Sequence, residues 1–265
     1  MRLGKYLTLF TCLAISITTI PALATVKLYT IDCGRVYVKD FGDFSNTGFF
    51  DGKPVEAAAP CFLIEHPKGR LLWDAGVGKN ETIAGLKLVI NPVTPELRKI
   101  GLTPKDIDFL AFSHLHIDHI GQANIFTDST WIMNPDEWSN MKDNLGEKSL
   151  VSYYPKAQKK LIHRDFDVFD DGSVKILLLP GHTSSHQALM VKLENSGYVL
   201  LAGDTYHQRE SRTEKLVPRF NVDRADTLAS MDRVEGLVKL KKAKLIIQHD
   251  IRDFKSLPKF REYMD

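Results

Sequence analysis

Ser113-His114-Leu115-His116-Ile117-Asp118-His119-Ile120-Gly121 packs three histidines and an aspartate into six positions. Just before it, residues 107–112 form a short apolar run that reads as a buried strand. The cluster therefore falls at the carboxyl end of a strand, where open α/β sheets place their chemistry. Imidazole nitrogen and carboxylate oxygen are the usual zinc ligands, and a catalytic zinc keeps a position free for water. His114 and His116 alternate around Leu115, so an extended backbone aims both imidazoles to one side. Asp118 and His119 are adjacent and point differently, which suits a second metal.

The same arrangement recurs further along the chain. Residues 174–179 read as a strand ending in Pro180-Gly181-His182. Residues 198–201 read as another, ending in Ala202-Gly203-Asp204, and residues 244–247 end in Gln248-His249-Asp250. Each strand end adds a donor to a common edge. The sum is five histidines and two aspartates, enough for two metals. His114, His116 and His182 are expected to hold one. Asp118, His119 and His249 are expected to hold the other, with Asp204 bridging them. Such a pair clamps a hydroxide and binds the substrate oxygen. His66 and His163 read as structural or surface residues, and His186 as a support.

Between these ends the chain alternates strands and helices. Strands are expected at residues 26–32, 61–65 and 70–73, the last two forming a hairpin. Residues 131–133 and 187–193 add further strands, and helices are expected at 95–100, 135–142 and 223–240. Asp74, where a strand meets Ala75-Gly76, is either an orienting partner for the histidines or a plain turn cap. The loop at residues 41–50 carries four phenylalanines. It either lines a pocket for an apolar group or folds back on the core. The polar region 140–164 is expected as a loop or helical insertion near the mouth of the site.

Residues 1–24 read as a signal peptide: a basic start at Arg2 and Lys5, an apolar run from 7 to 20, and Ala22-Leu23-Ala24 for cleavage. Export, most simply to a periplasm, is the expectation, with residues 25–265 as one hydrolase domain. Removing Arg2 and Lys5 takes the formal charge from +2 to 0. That balance argues against nucleic acid or an anionic membrane surface as the main partner. Cys33 and Cys61 remain after cleavage, either joined or as two buried thiols.

His114-x-His116-x-Asp118-His119, with Gly181-His182, Gly203-Asp204 and His249, resembles the metallo-β-lactamase superfamily. Within it, the chain is similar to the N-acyl homoserine lactonases over nearly all of residues 25–265. The likeness includes Trp73-Asp74-Ala75-Gly76 and Gln248-His249-Asp250. The resemblance implies a four-layer αββα sandwich and a di-metal hydrolase, with zinc as the default and iron, cobalt or manganese as other fits. It implies opening of a lactone ring by a metal-bridging hydroxide, with Asp118 carrying a proton to the leaving alkoxide. The lactonases place a tyrosine three residues beyond the bridging aspartate. Here that position is His207 and the tyrosine is Tyr206, so either Tyr206 serves through a shorter loop or His207 takes over.

Rival readings use the same scaffold. A β-lactamase would lack the carboxylate of Asp204, while thioester and phosphoester hydrolases share the metal pair. The di-iron redox members carry a glutamate where this chain has His116 and add a flavin domain. A non-catalytic binding protein would have lost donors that are all present here.

Overall fold

The computed structural model of the protein describes residues 25–142 and 151–265. The expected signal peptide and Cys12 lie outside these residues. The chain begins with a long hairpin, β1 (Lys27–Val38) and β2 (Val55–His66), followed by β3 (Gly69–Trp73). A small hairpin, β4 (Glu81–Ile83) and β5 (Leu86–Ile90), leads into α1 (Val93–Arg98), β6 (Phe109–Ala111), β7 (Thr130–Met133) and α2 (Pro135–Lys142). Then come β8 (Gln158–Leu161), β9 (Phe166–Asp167), β10 (Val174–Leu178), β11 (Gln187–Leu193) and β12 (Gly197–Leu201). The chain closes with α3 (Arg209–Thr213), α4 (Arg224–Lys241), β13 (Lys244–Ile246) and α5 (Ile251–Ser256).

The strands form two sheets: eight strands in the order β4-β5-β1-β2-β3-β6-β7-β8, and five in the order β13-β12-β11-β10-β9. Side-chain alternation assigns the faces. Phe62, Ile64, Leu71 and Trp73 of the first sheet meet Val174, Ile176, Leu189, Val191 and Leu201 of the second. The intervening Cys61, Leu63 and Leu72 point outward, against Val93 and Leu97 of α1 and Trp138 of α2. On the far side, Ala188, Met190 and Leu200 take Met231 and Val234 of α4. These three apolar interfaces separate four layers in the order αββα, as expected.

α4 carries its own boundary signals. The Asp223 carboxylate accepts from the Asp226 N–H at its start, and Lys242 closes it in a left-handed conformation. Its apolar residues Leu228, Met231, Val234 and Val238 recur at helical spacing on the sheet-facing side.

Several boundaries differ from expectation. β1 runs on to Val38 past an irregularity between Asp32 and Arg35, where Gly34 takes a φ of +142°. The described part of 140–164 is no insertion at the mouth: β8 extends the large sheet, paired in parallel with β7. Val151 and Ala157 enter the core under α1 and α2. Cys33 and Cys61 are joined in a buried disulfide between β1 and β2. The 41–50 loop folds back on the core. Phe41 and Phe50 are buried, while Phe44 stacks on Phe41 and turns its edge toward His207. Among the described residues, no helix is long and apolar enough to cross a membrane.

Candidate metal centre

β6 ends at Ala111, and the loop beyond it is pinned to β3. The Asp74 N–H donates to the Ala111 carbonyl at 2.9 Å, and the Ser113 N–H donates back to Asp74 Oδ1 at 2.7 Å. Asp74 holds a φ of +59°, a region that favours glycine, and these bonds offset that cost. The His119 and Ile120 N–H groups then close a turn on the His116 carbonyl. Gly121 crosses the 76–78 backbone so closely that a Cβ there would lie 2.0 Å from the Gly78 nitrogen. Sequence and local geometry together thus fold His114, His116, Asp118 and His119 into one compact loop.

Two donor groups converge among the described residues: His114, His116, His182 and Asp204, and beside them Asp118, His119 and His249. In the first, His114 Nε2 is 2.8 Å from His116 Nδ1, and His182 Nε2 lies 3.1 Å from each. In the second, His119 Nε2 is 3.1 Å from His249 Nε2, which is 3.6 Å from Asp118 Oδ2. Asp204 spans both. Its Oδ1 is 3.3 Å from His119 Nε2 and 3.0 Å from His249 Nε2; its Oδ2 is 3.3 Å from His182 Nε2.

The second ring nitrogens of three of these histidines are committed elsewhere. His182 Nδ1 donates to Asn221 Oδ1 at 2.9 Å, and His249 Nδ1 to the Ala58 carbonyl at 2.6 Å. His119 Nδ1 donates to Asp74 Oδ2 at 3.0 Å. Each of these leaves Nε2 free to face the cluster, which is how metal-binding imidazoles are oriented.

The spacing of these donors suits a cation between them. Imidazole nitrogens aimed at one another from about 3 Å have no proton arrangement that satisfies them all. Ligand nitrogens around a tetrahedral zinc at about 2.0–2.1 Å lie roughly 3.3 Å apart, close to the spacing seen. Asp204 Oδ1 is buried without a well-aligned hydrogen bond, facing only the His119 and His249 nitrogens that a cation between them would also meet. The donor set therefore fits two divalent ions.

The electrostatics are divided. Burial, with the neighbouring imidazoles, pushes His114 well below its ordinary range; burial does the same to His182. Burial also pulls on His119 and His249, but Asp204 and the other nearby carboxylates outweigh it, raising His119 well above the ordinary range and His249 to about 9. Asp204 is buried too, yet His249, His119 and His207 hold its carboxyl well below the usual range.

His207 stands at the rim of this cluster, with Nε2 3.0 Å from Asp204 Oδ2 and its ring edge-on to Phe44 and Phe220. Tyr206 faces the other way, a correction to its expected place in the site. Its hydroxyl donates to Glu235 Oε1 at 3.0 Å and its ring is buried under α4. Successive residues leave the turn at 203–205 on opposite sides, and only His207 reaches the donors. His186 is a support: its Nδ1 donates to the Leu179 carbonyl at 3.0 Å. His66 stacks on Phe169 and pairs with Asp171, and His163 is exposed; both lie outside the cluster.

Two residues escaped the sequence reading. Gln248 Oε1 accepts from Trp73 Nε1 at 3.2 Å and from the Gly203 N–H at 2.9 Å, while its Nε2 donates to Asp74 Oδ2 at 2.8 Å. Its place one residue before His249 was the available signal. Glu137, on α2, is buried behind His114 and His182. Burial raises its carboxyl, against hydrogen bonds from Thr183, Leu115 and Ser185.

Comparison with known proteins agrees with this geometry. Residues 56–249 match the metallo-beta-lactamase superfamily model. An N-acyl homoserine lactonase of Bacillus thuringiensis is 30% identical over 257 residues, covering 90% of this chain and 98% of its own. One from Azorhizobium caulinodans is 26% identical over 265 residues, covering 92% and 100%. The solved structure of an N-acyl homoserine lactone hydrolase, with N-hexanoyl-L-homoserine bound at its catalytic metal centre, is 28% identical and superposes with a TM-score of 0.79. It covers 90% of this chain and 99% of that one. Fold, donor set and matches along almost the whole chain place this protein in one family: it belongs to the metallo-beta-lactamase superfamily.

Proposed function

We propose that the protein opens the lactone ring of N-acyl homoserine lactones, a reaction that destroys a quorum signal. The observation that carries the reading is the bridging position of Asp204, whose two oxygens face two separate donor groups. The full-length similarity to lactonases supplies the substrate class.

Bound there, two divalent ions, most simply zinc, would lower the pKa of a water to about 7 and polarise an ester carbonyl. His114, His116 and His182 would hold one and Asp118, His119 and His249 the other, with Asp204 shared. The rest of the work falls to the chain. Asp118, half-buried beside His249, accepts the proton released as water adds to the lactone carbonyl. It delivers that proton to the alkoxide as the ring C–O bond breaks, giving the open N-acyl homoserine. His207 Nε2, on the Asp204 side of the rim, is placed to hold the substrate oxygen. Phe44 and Phe220, packed edge to face with 5.0 Å between ring centres, form an apolar wall beside it for the acyl chain.

The N-terminal segment and the Cys33–Cys61 disulfide support export to an oxidising compartment. The deciding experiment is proton release by metal-loaded protein on acyl homoserine lactones, simple lactones, a thioester and a β-lactam. Turnover of homoserine lactones should fall by about 10²–10⁴ in Asp118→Asn. Turnover of only the thioester or the β-lactam would overturn the lactonase assignment and leave the metal site standing.

A further inference from the structure

Glu137 lies outside the donor cluster, yet its carboxylate is buried between two of the loops that form it. Oε1 accepts from the Leu115 N–H at 3.3 Å. Oε2 accepts from Thr183 Oγ1 at 2.8 Å and from the Ser185 N–H and Oγ, each at 3.3 Å. Leu115 sits between His114 and His116, and Thr183 follows His182. These loops hang from different sheets, His114 and His116 beyond β6 and His182 beyond β10. No strand ladder therefore sets their separation. Gln187 ties the two sheets one step deeper, through the Ser113 and Phe112 carbonyls. Glu137 is the tie at the level of the imidazoles themselves. The other donors have a different support: His119 leans on Asp74, and His249 on the Ala58 carbonyl.

We propose that Glu137 is the positioning residue of the three-histidine group, setting the distance of His182 from His114 and His116 and hence the affinity of one metal position and not the other. The inference rests on reading the cluster as a two-metal site. Outer partners of ligating groups commonly change metal affinity by about 10–100-fold, and this one reaches all three histidines through two short loops.

The test is a cobalt(II) titration of metal-free full-length protein, followed by calorimetry and visible absorption. Wild type, Glu137→Gln and Glu137→Ala are compared. Wild type should take up two equivalents. Glu137→Ala should keep one at wild-type affinity and lose about 10–100-fold at the other, with the cobalt spectrum of the three-histidine position altered. Glu137→Gln should fall between, since one acceptor oxygen survives. Two equivalents at wild-type affinity in Glu137→Ala, or an equal loss at both positions, would overturn the positioning role. Failure of wild type to bind cobalt would instead overturn the two-metal reading. If Glu137→Ala does not fold, Glu137→Gln, which keeps the volume, is judged by the same criteria.

Discussion

The Asp204 N–H donates to His186 Nε2 across 2.8 Å, so the carboxylate that faces both donor groups is aimed by a buried imidazole that belongs to neither. Burial pushes His186 down to about 4, which keeps that nitrogen an acceptor at neutral pH. Its other nitrogen is spent on Leu179. His186→Ala should leave the Asp204 N–H unpaired and lower metal affinity by about 10–100-fold. Metal content after dialysis against a graded chelator series checks this. Unchanged retention would mean that the Gly203 turn alone aims Asp204.

Tyr206 and His207 should separate cleanly. Tyr206→Phe removes a bond to Glu235 at 3.0 Å, with an expected loss of about 1 kcal/mol of stability and no change in kcat or KM. His207→Ala should lower kcat by about 10²-fold. Thermal unfolding and steady-state kinetics on both variants give the comparison, and a kinetic defect in Tyr206→Phe would reverse the assignment.

The metal-free protein should be most stable near pH 6.5. His249 is raised to about 9, so its contribution is complete below the ordinary imidazole value of 6.5 and is lost as pH rises through 9. His119, raised by Asp204, Asp74 and Asp118, acts in the same direction. His186 is depressed, so its contribution is complete above 6.5 and fades as pH falls towards 4. Chelated protein melted from pH 4 to 9.5 should show Tm falling on both sides. A flat limb between 6.5 and 9 would contradict the pairing of His249 with Asp204.

Phe220 is 46% exposed although it lies against His182 and His207. An exposed ring beside a polar cluster is suited to an apolar substrate tail. Phe220→Ala should raise KM for decanoyl homoserine lactone by about 10-fold and leave an unsubstituted butyrolactone unaffected. Equal effects on both substrates would place the ring in the architecture of the site and not in chain recognition.

The disulfide closes a separation of 28 residues, for which loss of the cross-link is expected to cost about 3–4 kcal/mol. Cys33→Ala with Cys61→Ala should lower Tm accordingly, measured without reductant. An unchanged Tm would show that the cross-link adds nothing to stability.

The convergence of the seven donors was legible because each sits at a strand end or within one short loop, so local pattern implied spatial proximity. Asp74 was legible for the same reason. Glu137 was not: it acts from a helix in another layer, and helical spacing does not reveal what a side chain meets across a fold. Direction was the other blind spot. Nothing in Asp204-Thr205-Tyr206-His207 tells which residue leaves a tight turn toward the donors. The hairpin of β4 and β5 was hidden because its turn uses Ala84 at a φ of +49° before Gly85, where glycine or asparagine is the usual marker. β8 was hidden because Gln158, Lys159, Lys160 and Leu161 are all exposed and show no alternation.

The seven donors are shared between the two sheets. His114, His116, Asp118 and His119 follow a strand of the larger sheet, and His182, Asp204 and His249 follow strands of the smaller. Any ion bound among them rivets the two sheets at one end of their seam. Occupancy then becomes a component of lifetime: free metal at 100 times its dissociation constant would add about 2.7 kcal/mol against unfolding. A cell that runs short of metal would lose more than turnover, because the emptied seam would open more often to proteases. The abundance of this protein should then follow metal supply.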